Sequence, residues 1–218
     1  MWKRFALLED NLLKYGVAAL LIVIPLYPKF PLFWIPGSSV AVRAEDFLIA
    51  AVVGILLLKE VRSRFVFLRD NLNRTILAYF VIGFLSLGSA ILVTHSVVPH
   101  IGLLHAFRRV EYIVVLFVIA ASIKTRKELI FYLEVIFLTL FLVFLYGVGQ
   151  KFFLLPVIST MNIEFAKGFA LRLHPGARVS STFAGHYDLA AYLVLLLPLV
   201  MAVLVAVKRK LLKVLLGF

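Results

Sequence analysis

The sequence contains no cysteine and few acidic residues. Without cysteine, disulfide bonds and thiolate catalytic or metal sites are excluded. Charged residues make up only 16% of the chain, whereas hydrophobic residues make up 63%. A soluble domain of 218 residues could not bury that much apolar surface in one core, so the composition predicts a membrane protein. No polar linker divides the chain, which predicts a single transmembrane domain over residues 1–218.

Long apolar runs predict an all-α fold, a polytopic transmembrane helix bundle. A bilayer core requires about 20 apolar residues in a helix. Six runs meet or approach that length, and the start of a seventh, at Leu211, is cut off at Phe218. The first run lacks a small-residue cleavage site and is predicted as an uncleaved helix rather than a signal peptide. The six predicted spans are Leu13–Leu26, Val40–Leu58, Thr75–Thr94, Val110–Ile123, Leu129–Leu145 and His186–Val207.

The basic residues predict the orientation of these spans. The net charge of +12 would suggest nucleic acid in a soluble protein, but in a membrane protein loop Lys and Arg fix topology and touch anionic lipids. Membrane lipids are therefore expected partners and nucleic acid is not. With the N-terminus in the cytoplasm, fifteen of the 23 Lys and Arg residues fall inside and eight outside, as the positive-inside rule prefers.

All five histidines fall on the predicted outer side. His95, His100 and His105 are five residues apart, a spacing that rotates about 500° on a helix, so they do not share one face. Zinc usually requires ligands at i and i+4 or from a second element. No metal site is predicted.

Four outer arginines are the candidate binding residues. Arg43 opens the second predicted span, Arg108 and Arg109 open the fourth, and Arg178 precedes the sixth. Positive charge at the outer end of a helix opposes both the helix dipole and the inside rule, so each arginine needs a partner. Guanidinium groups bind phosphate in bidentate fashion. Three outer helix ends with arginine could therefore converge on one pyrophosphate.

Internal ion pairing is the alternative explanation for these arginines. Arg43 has Glu45 and Asp46 beside it, and Arg108 has Glu111 at i,i+3. These carboxylates would either neutralise the arginines or orient them toward a ligand. Because the eight outer Lys and Arg residues outnumber the outer acids, pairing cannot neutralise them all. Both interpretations stay open at the level of sequence.

The segment that begins at Arg178 resembles the signature of the O-antigen ligase family. It reads Arg178-Val-Ser-Ser-Thr-Phe-Ala-Gly-His-Tyr-Asp-Leu-Ala-Ala-Tyr-Leu193, similar to Arg-x-x-Gly-Thr-Phe, a polar turn, and Leu-Ala-x-Tyr-Leu entering a helix. Tyr146-Gly-Val-Gly-Gln-Lys-Phe152 is similar to the family's Gly-x-x-Gln stretch, and Arg43 and Asp46 stand where the family has an Arg and an Asp. Ser181 departs from the family's glycine, and His186-Tyr-Asp188 replaces its Pro-Asn turn.

The resemblance implies a GT-C-like glycosyltransferase in the bacterial cytoplasmic membrane. Such an enzyme takes glycan from a polyprenyl-diphosphate-linked donor, on the outer face, and passes it to a glycan or lipid acceptor, without a cofactor or metal. Its outer arginines would hold the diphosphate; Arg43 and Arg178 match best, Arg108 and Arg109 less closely. The residues expected to support them are Asp46, Glu111, Thr182, His186 and Asp188.

Family members are considerably longer and carry a histidine, thought to be the catalytic base, on an outer loop of their second half. By this resemblance the chain is expected to be the N-terminal half of a longer protein. The base is then expected beyond residue 218, so the catalytic residue is unknown. The fragment alone is expected to bind donor at best and not to catalyse transfer.

Other functions fit the same residues. A transporter or flippase for an anionic lipid-linked substrate would place arginines near the bilayer midplane in repeated halves, whereas this sequence shows no repeat. An O-antigen or polysaccharide polymerase, and protein glycosylation, are compatible with the resemblance. A peptidoglycan-type polymerase would require a catalytic acid in an outer loop, and a scaffold would not depend on the arginines. The glycan and the acceptor stay open.

Overall fold

The computed structural model describes residues 2–35, 41–62, 69–158, 170–174 and 176–206. Of the residues described, 76% are helical, which confirms the all-α prediction. Two short antiparallel hairpins accompany the helices: β1 (Phe33–Trp34) pairs with β2 (Ala41–Val42), and β3 (Val157–Ile158) pairs with β4 (Ala170–Leu171). The helices are α1 (Trp2–Leu26), α2 (Ala44–Arg62), α3 (Asn71–Leu92), α4 (Pro99–Ser122), α5 (Arg126–Phe152) and α6 (His186–Ala206).

Three helices are long and apolar enough to cross a membrane: Asn71–Leu92, Arg126–Phe152 and His186–Val205. These helices fit a membrane protein. The other predicted spans also form helices, but in α1, α2 and α4 every stretch of 18 residues contains at least three charged residues. The six-span bundle is therefore not confirmed. The seventh span expected from Leu211 lies outside the described residues.

Helix α4 begins earlier than its hydropathy predicts. The predicted span Val110–Ile123 covers only the apolar part of a helix that starts at Pro99. Proline suits the first helical position, where its missing N–H leaves no hydrogen bond unmade, and no second proline interrupts α4. Arg108 and Arg109 therefore lie more than two turns inside the helix, and the prediction that they stand at its end is wrong.

The chain divides into two compact units, with the boundary inside α5. Unit 1 comprises Met1–Tyr27 and Pro31–Leu140, and unit 2 comprises Pro28–Phe30 and Phe141–Phe218. The single domain expected over residues 1–218 stays a prediction.

Helices α1, α2 and α4 of unit 1 pack around one apolar core. At Gly16 of α1, an added Cβ would lie 2.8 Å from Cγ2 of Val52 on α2, so glycine allows the two helices to approach closely. Helix α3 contacts α4, where the rings of Phe84 and Phe107 lie 5.9 Å apart, but buries none of its residues. The buried core residues are Leu13, Val17, Ala18, Leu20, Ile49, Val52, Leu56, Val118 and Tyr132.

Ion pairs at one end of the core join α1 to α2 and to the segment that follows α4; we call Glu9, Asp10, Lys59, Arg62 and Lys124 the Asp10 cluster. Asp10 pairs with Lys59 at 3.2 Å and with Lys124, while Glu9 pairs with Arg62 at 2.6 Å. The start of α1 thus meets the end of α2, so these helices are antiparallel. Burial raises the pKa of Asp10, but the hydrogen bonds and charges of Lys124 and Lys59 outweigh burial, and the net pKa lies below its ordinary 3.8.

Asp10→Asn is expected to lower the stability of unit 1 by about 1 kcal/mol, because two lysines lose their shared carboxylate. Since the folded-state pKa of Asp10 is lowered, its contribution is present above pH 3.8 and is lost as pH falls through the lower folded value. The wild type should therefore lose its advantage in acid. Thermal unfolding followed by circular dichroism in detergent measures both effects. Asp70→Asn is the matched control, since Asp70 is exposed and makes no side-chain cap; equal losses in both variants would contradict the prediction.

Candidate functional site

A second group of charged side chains lies at the opposite end of the unit 1 core; we call Arg43, Glu45, Asp46, Arg108 and Glu111 the Arg108 cluster. Nη1 of Arg108 donates to Oδ1 of Asp46 at 2.8 Å and to Oε2 of Glu111 at 2.9 Å. Nη1 of Arg43 donates to Oε1 of Glu45 at 3.3 Å. The pairs Arg43–Glu45 and Arg108–Glu111, expected from spacing, are confirmed.

Asp46 performs two structural roles in this cluster. Its Oδ2 accepts the backbone N–H of Arg43 at 3.0 Å, which caps the first turn of α2. Its Oδ1 accepts the guanidinium of Arg108 from α4, 62 positions along the chain. Asp46 therefore fixes the start of α2 and ties α2 to α4, a partner that spacing along the sequence could not predict.

The charges of the Arg108 cluster nearly cancel. Two guanidinium groups face three carboxylates, and the side chains of Arg43 and Arg108 are only 24% and 21% exposed. An anion that bound here would have to separate partly buried ion pairs, which costs several kcal/mol per broken pair. In this geometry the main role of the cluster is to hold α2 against α4, and an anion would have to compete with its carboxylates for the guanidinium groups.

An open apolar cleft lies beside the Arg108 cluster, between α2 and α4. Its volume is about 380 Å³. Asp46, Arg108 and Glu111 form its polar side. Its volume lies in the range of small-molecule pockets, and most of its lining is apolar. The principal apolar lining residues are Ile49, Ala50, Val53, Leu104, Phe107 and Val114.

Arg109 and Arg178 differ from the clustered arginines. Both side chains are exposed, and neither makes a hydrogen bond or ion pair with any residue that the structure describes. Arg109 belongs to unit 1, one position and therefore about 100° around α4 from Arg108. Arg178 belongs to unit 2, in the loop that leads into α6. Within the described residues, these two guanidinium groups are thus exposed and not held by a carboxylate.

In unit 2, the loop that carries Arg178 is hydrogen-bonded to the end of α5. The buried amide of Gln150 donates through Nε2 to the carbonyl oxygens of Ser181 at 2.8 Å and Pro156 at 3.2 Å. Its Oε1 accepts the backbone N–H of Ser181 at 2.8 Å, and Oγ of Ser181 donates to the carbonyl of Val143 at 2.6 Å. All donors and acceptors of the Gln150 amide are thus directed at backbone groups around this loop.

Two glycines lie beside Gln150, and close packing requires one of them. A Cβ at Gly147 would lie 3.4 Å from the side chain of Val179, an ordinary van der Waals distance, so the loop lies against the helix surface. A Cβ at Gly149 would clash with the side chain of Leu155, so glycine at this position lets the segment after α5 fold back on the helix. The stretch from Tyr146 to Phe152, singled out by its resemblance, is therefore the contact surface for the Arg178 loop.

Ser181 occupies a backbone conformation that favours glycine. Its φ is +51°, in the left-handed region, where a Cβ costs about 1–2 kcal/mol. The resemblance placed a glycine at this position, and the conformation gives a physical reason for that preference. In this chain the hydrogen bond from Oγ of Ser181 to Val143 partly offsets the cost of the side chain.

The supporting residues expected from the sequence lie along the same loop and the start of α6. His186 begins α6 with its ring 4.1 Å from that of Tyr187, and exposed Asp188 lies in the first turn, where a negative charge favours the helix dipole. Thr182, which lies between Arg178 and His186 in the sequence, is partly buried. Among the described residues, no group of three or more His, Cys, Asp or Glu side chains could hold a metal ion.

The sequence reasoning missed one ionisable residue, Glu134. It lies in α5, a candidate span, and its side chain is exposed. Ionisable groups in membrane spans are costly and usually functional. The detectable signal was a single acidic residue inside an otherwise apolar run.

No family model matches this chain, and neither the curated proteins nor the solved structures contain a match. The resemblance to the O-antigen ligase family therefore rests on the motifs at Arg178, at Tyr146–Phe152 and at Arg43 alone.

Arg108→Gln is expected to destabilise unit 1 by about 2 kcal/mol, because Asp46 and Glu111 lose their common partner while partly buried. Arg109→Gln, one position away and exposed, should stay within about 0.5 kcal/mol of the wild type. Thermal unfolding in detergent compares the two variants. Similar stabilities for both would show that the Arg108 cluster does not hold α2 to α4.

Ser181→Ala and Ser181→Gly separate the two effects at Ser181. Both remove the hydrogen bond to Val143, but only glycine relieves the left-handed backbone, so Ser181→Ala should be less stable than Ser181→Gly by about 1 kcal/mol. Hydrogen exchange of the segment that contains the Ser181 amide reports this difference directly. Faster exchange in the glycine variant than in the alanine variant would contradict it.

Proposed function

We propose that this chain is part of an O-antigen ligase-like membrane glycosyltransferase. The complete protein would transfer glycan from a polyprenyl-diphosphate carrier to a glycan or lipid acceptor. It would act on the outer face of the bacterial cytoplasmic membrane, with the N-terminus in the cytoplasm. The Asp10 cluster would then lie near the inner surface and the Arg108 cluster near the outer surface.

The observation that carries this proposal is the position of Arg178. Its guanidinium is exposed and makes no hydrogen bond or ion pair within the described part of the chain. Its loop leads directly into α6, whose length and apolarity suit a membrane span, so the loop would lie at headgroup depth. Backbone N–H groups at a helix N-terminus also favour anions. A lipid diphosphate presents its charge at that depth.

The four arginines differ in how far their guanidinium groups are already paired. Arg178, in unit 2, is proposed to contact the diphosphate directly. In unit 1, Arg109 is exposed, whereas Arg43 and Arg108 are held by Glu45, Asp46 and Glu111 and would bind an anion only by exchanging partners. This assignment keeps all four sequence-predicted arginines and ranks them by their existing partners.

The chemistry needs only positioned charge and a base. An acceptor hydroxyl attacks the anomeric carbon, the bond from that carbon to the diphosphate oxygen breaks, and polyprenyl diphosphate leaves with the electron pair. The negative charge that develops on the leaving group is stabilised by guanidinium groups. The hydroxyl proton passes to a base, which the resemblance places beyond residue 218.

Arg178→Ala in the complete protein should reduce glycan transfer at least a hundredfold, the scale on which one catalytic charge acts, at roughly 10²–10³. The assay uses detergent-solubilised protein, lipid-linked glycan and acceptor. Without a sealed bilayer a flippase has no measurable product, so transfer itself excludes the transporter alternative. Arg172→Ala, also an exposed arginine of unit 2, is the control. Normal turnover by the Arg178 variant would overturn the assignment.

A further inference from the structure

The end of α5 is built to hold one short segment of unit 2. Gln150 is 1% exposed, and its amide is hydrogen-bonded to the backbone of Ser181 and Pro156. A buried amide whose two N–H groups and oxygen are all bonded to backbone is not presented to a ligand. Its effect must pass through the segment it holds.

The segment held by Gln150 carries Arg178 three residues before Ser181. Between them, Val179 packs against Gly147, and Ser181 is fixed in a left-handed conformation by three hydrogen bonds, through its N–H, its carbonyl oxygen and its Oγ. Three residues span at most about 10 Å, so the backbone at Arg178 has little freedom once Ser181 is fixed. The guanidinium itself remains exposed.

We infer that Gln150 is a positioning residue for Arg178. By holding Ser181, Gln150 keeps the backbone of the loop ordered before an anion binds to the guanidinium. Binding then does not have to order the loop. This inference rests on the proposed diphosphate role of Arg178. Rigid presentation matters because ordering a loop costs about 1–2 kcal/mol per residue. A loosened loop would weaken anion binding although every arginine is retained.

A double-mutant cycle on the full chain in detergent tests the inference, with farnesyl diphosphate as the probe and its Kd as the readout. Arg178→Ala should weaken binding at least tenfold, since a charge-assisted hydrogen bond is lost. Gln150→Leu, close in size, should weaken binding about five- to tenfold by freeing the loop. The double variant should bind no more weakly than Arg178→Ala alone, because Gln150 then has nothing to position.

The other outcomes are decisive as well. If the two losses multiply in the double variant, Gln150 does not act through Arg178, and the inference is wrong while the role of Arg178 stands. If Arg178→Ala binds like the wild type, the proposed function itself fails. Thr139→Val, a buried substitution on the same helix away from the loop, should leave Kd unchanged. Should Gln150→Leu not fold, Ser181→Ala replaces it in the same cycle with the same expected non-additivity.

Discussion

Charged side chains on helices this apolar need partners, and that requirement organises unit 1. Two clusters of ion pairs lie at opposite ends of its core, and in each of them side chains from different segments are paired. On α2 the two clusters are separated by the thirteen residues from Asp46 to Lys59, about 20 Å of helix. Between them lies an apolar core closed by the contact of Gly16 with Val52. Burial and ion pairing thus fix the same arrangement of α1, α2 and α4.

The same requirement divides the predicted outer arginines into two kinds. Arg43 and Arg108 already have carboxylate partners, and their removal would leave buried acids behind. Arg109 and Arg178 are exposed and have no such partner among the described residues. Positive charge without an internal partner is what a ligand anion can use. Fewer arginines are therefore candidates for direct anion binding than the four that the sequence predicts.

Periodicity and spacing along the sequence predicted the features that depend on residues close together in the chain, namely the helices and the short-range ion pairs. The helices were recognisable from apolar runs, and the pairs Arg43–Glu45 and Arg108–Glu111 from their separation of two or three positions. The start of α4 was missed because its first eleven residues are too polar to register as a span, although they form a regular helix after Pro99.

Contacts between distant residues could not be read from the sequence. The pairing of Arg108 with Asp46 and the bonds between Gln150 and Ser181 cross 62 and 31 positions. Nothing local specifies either partner, because both depend on how whole helices and loops pack. The glycines around Gln150 were visible as a motif, but the close packing of Leu155 against Gly149 appears only in three dimensions.

The four arginines differ in how accessible their guanidinium groups are, and their chemical reactivity measures this difference directly. Phenylglyoxal modifies accessible guanidinium groups, and mass spectrometry of the native protein in detergent reports the rate at each arginine. Arg109 and Arg178 should react quickly, Arg43 and Arg108 slowly, and farnesyl diphosphate should protect Arg178. Equal rates at all four residues, or no protection of Arg178 by the diphosphate, would contradict the account.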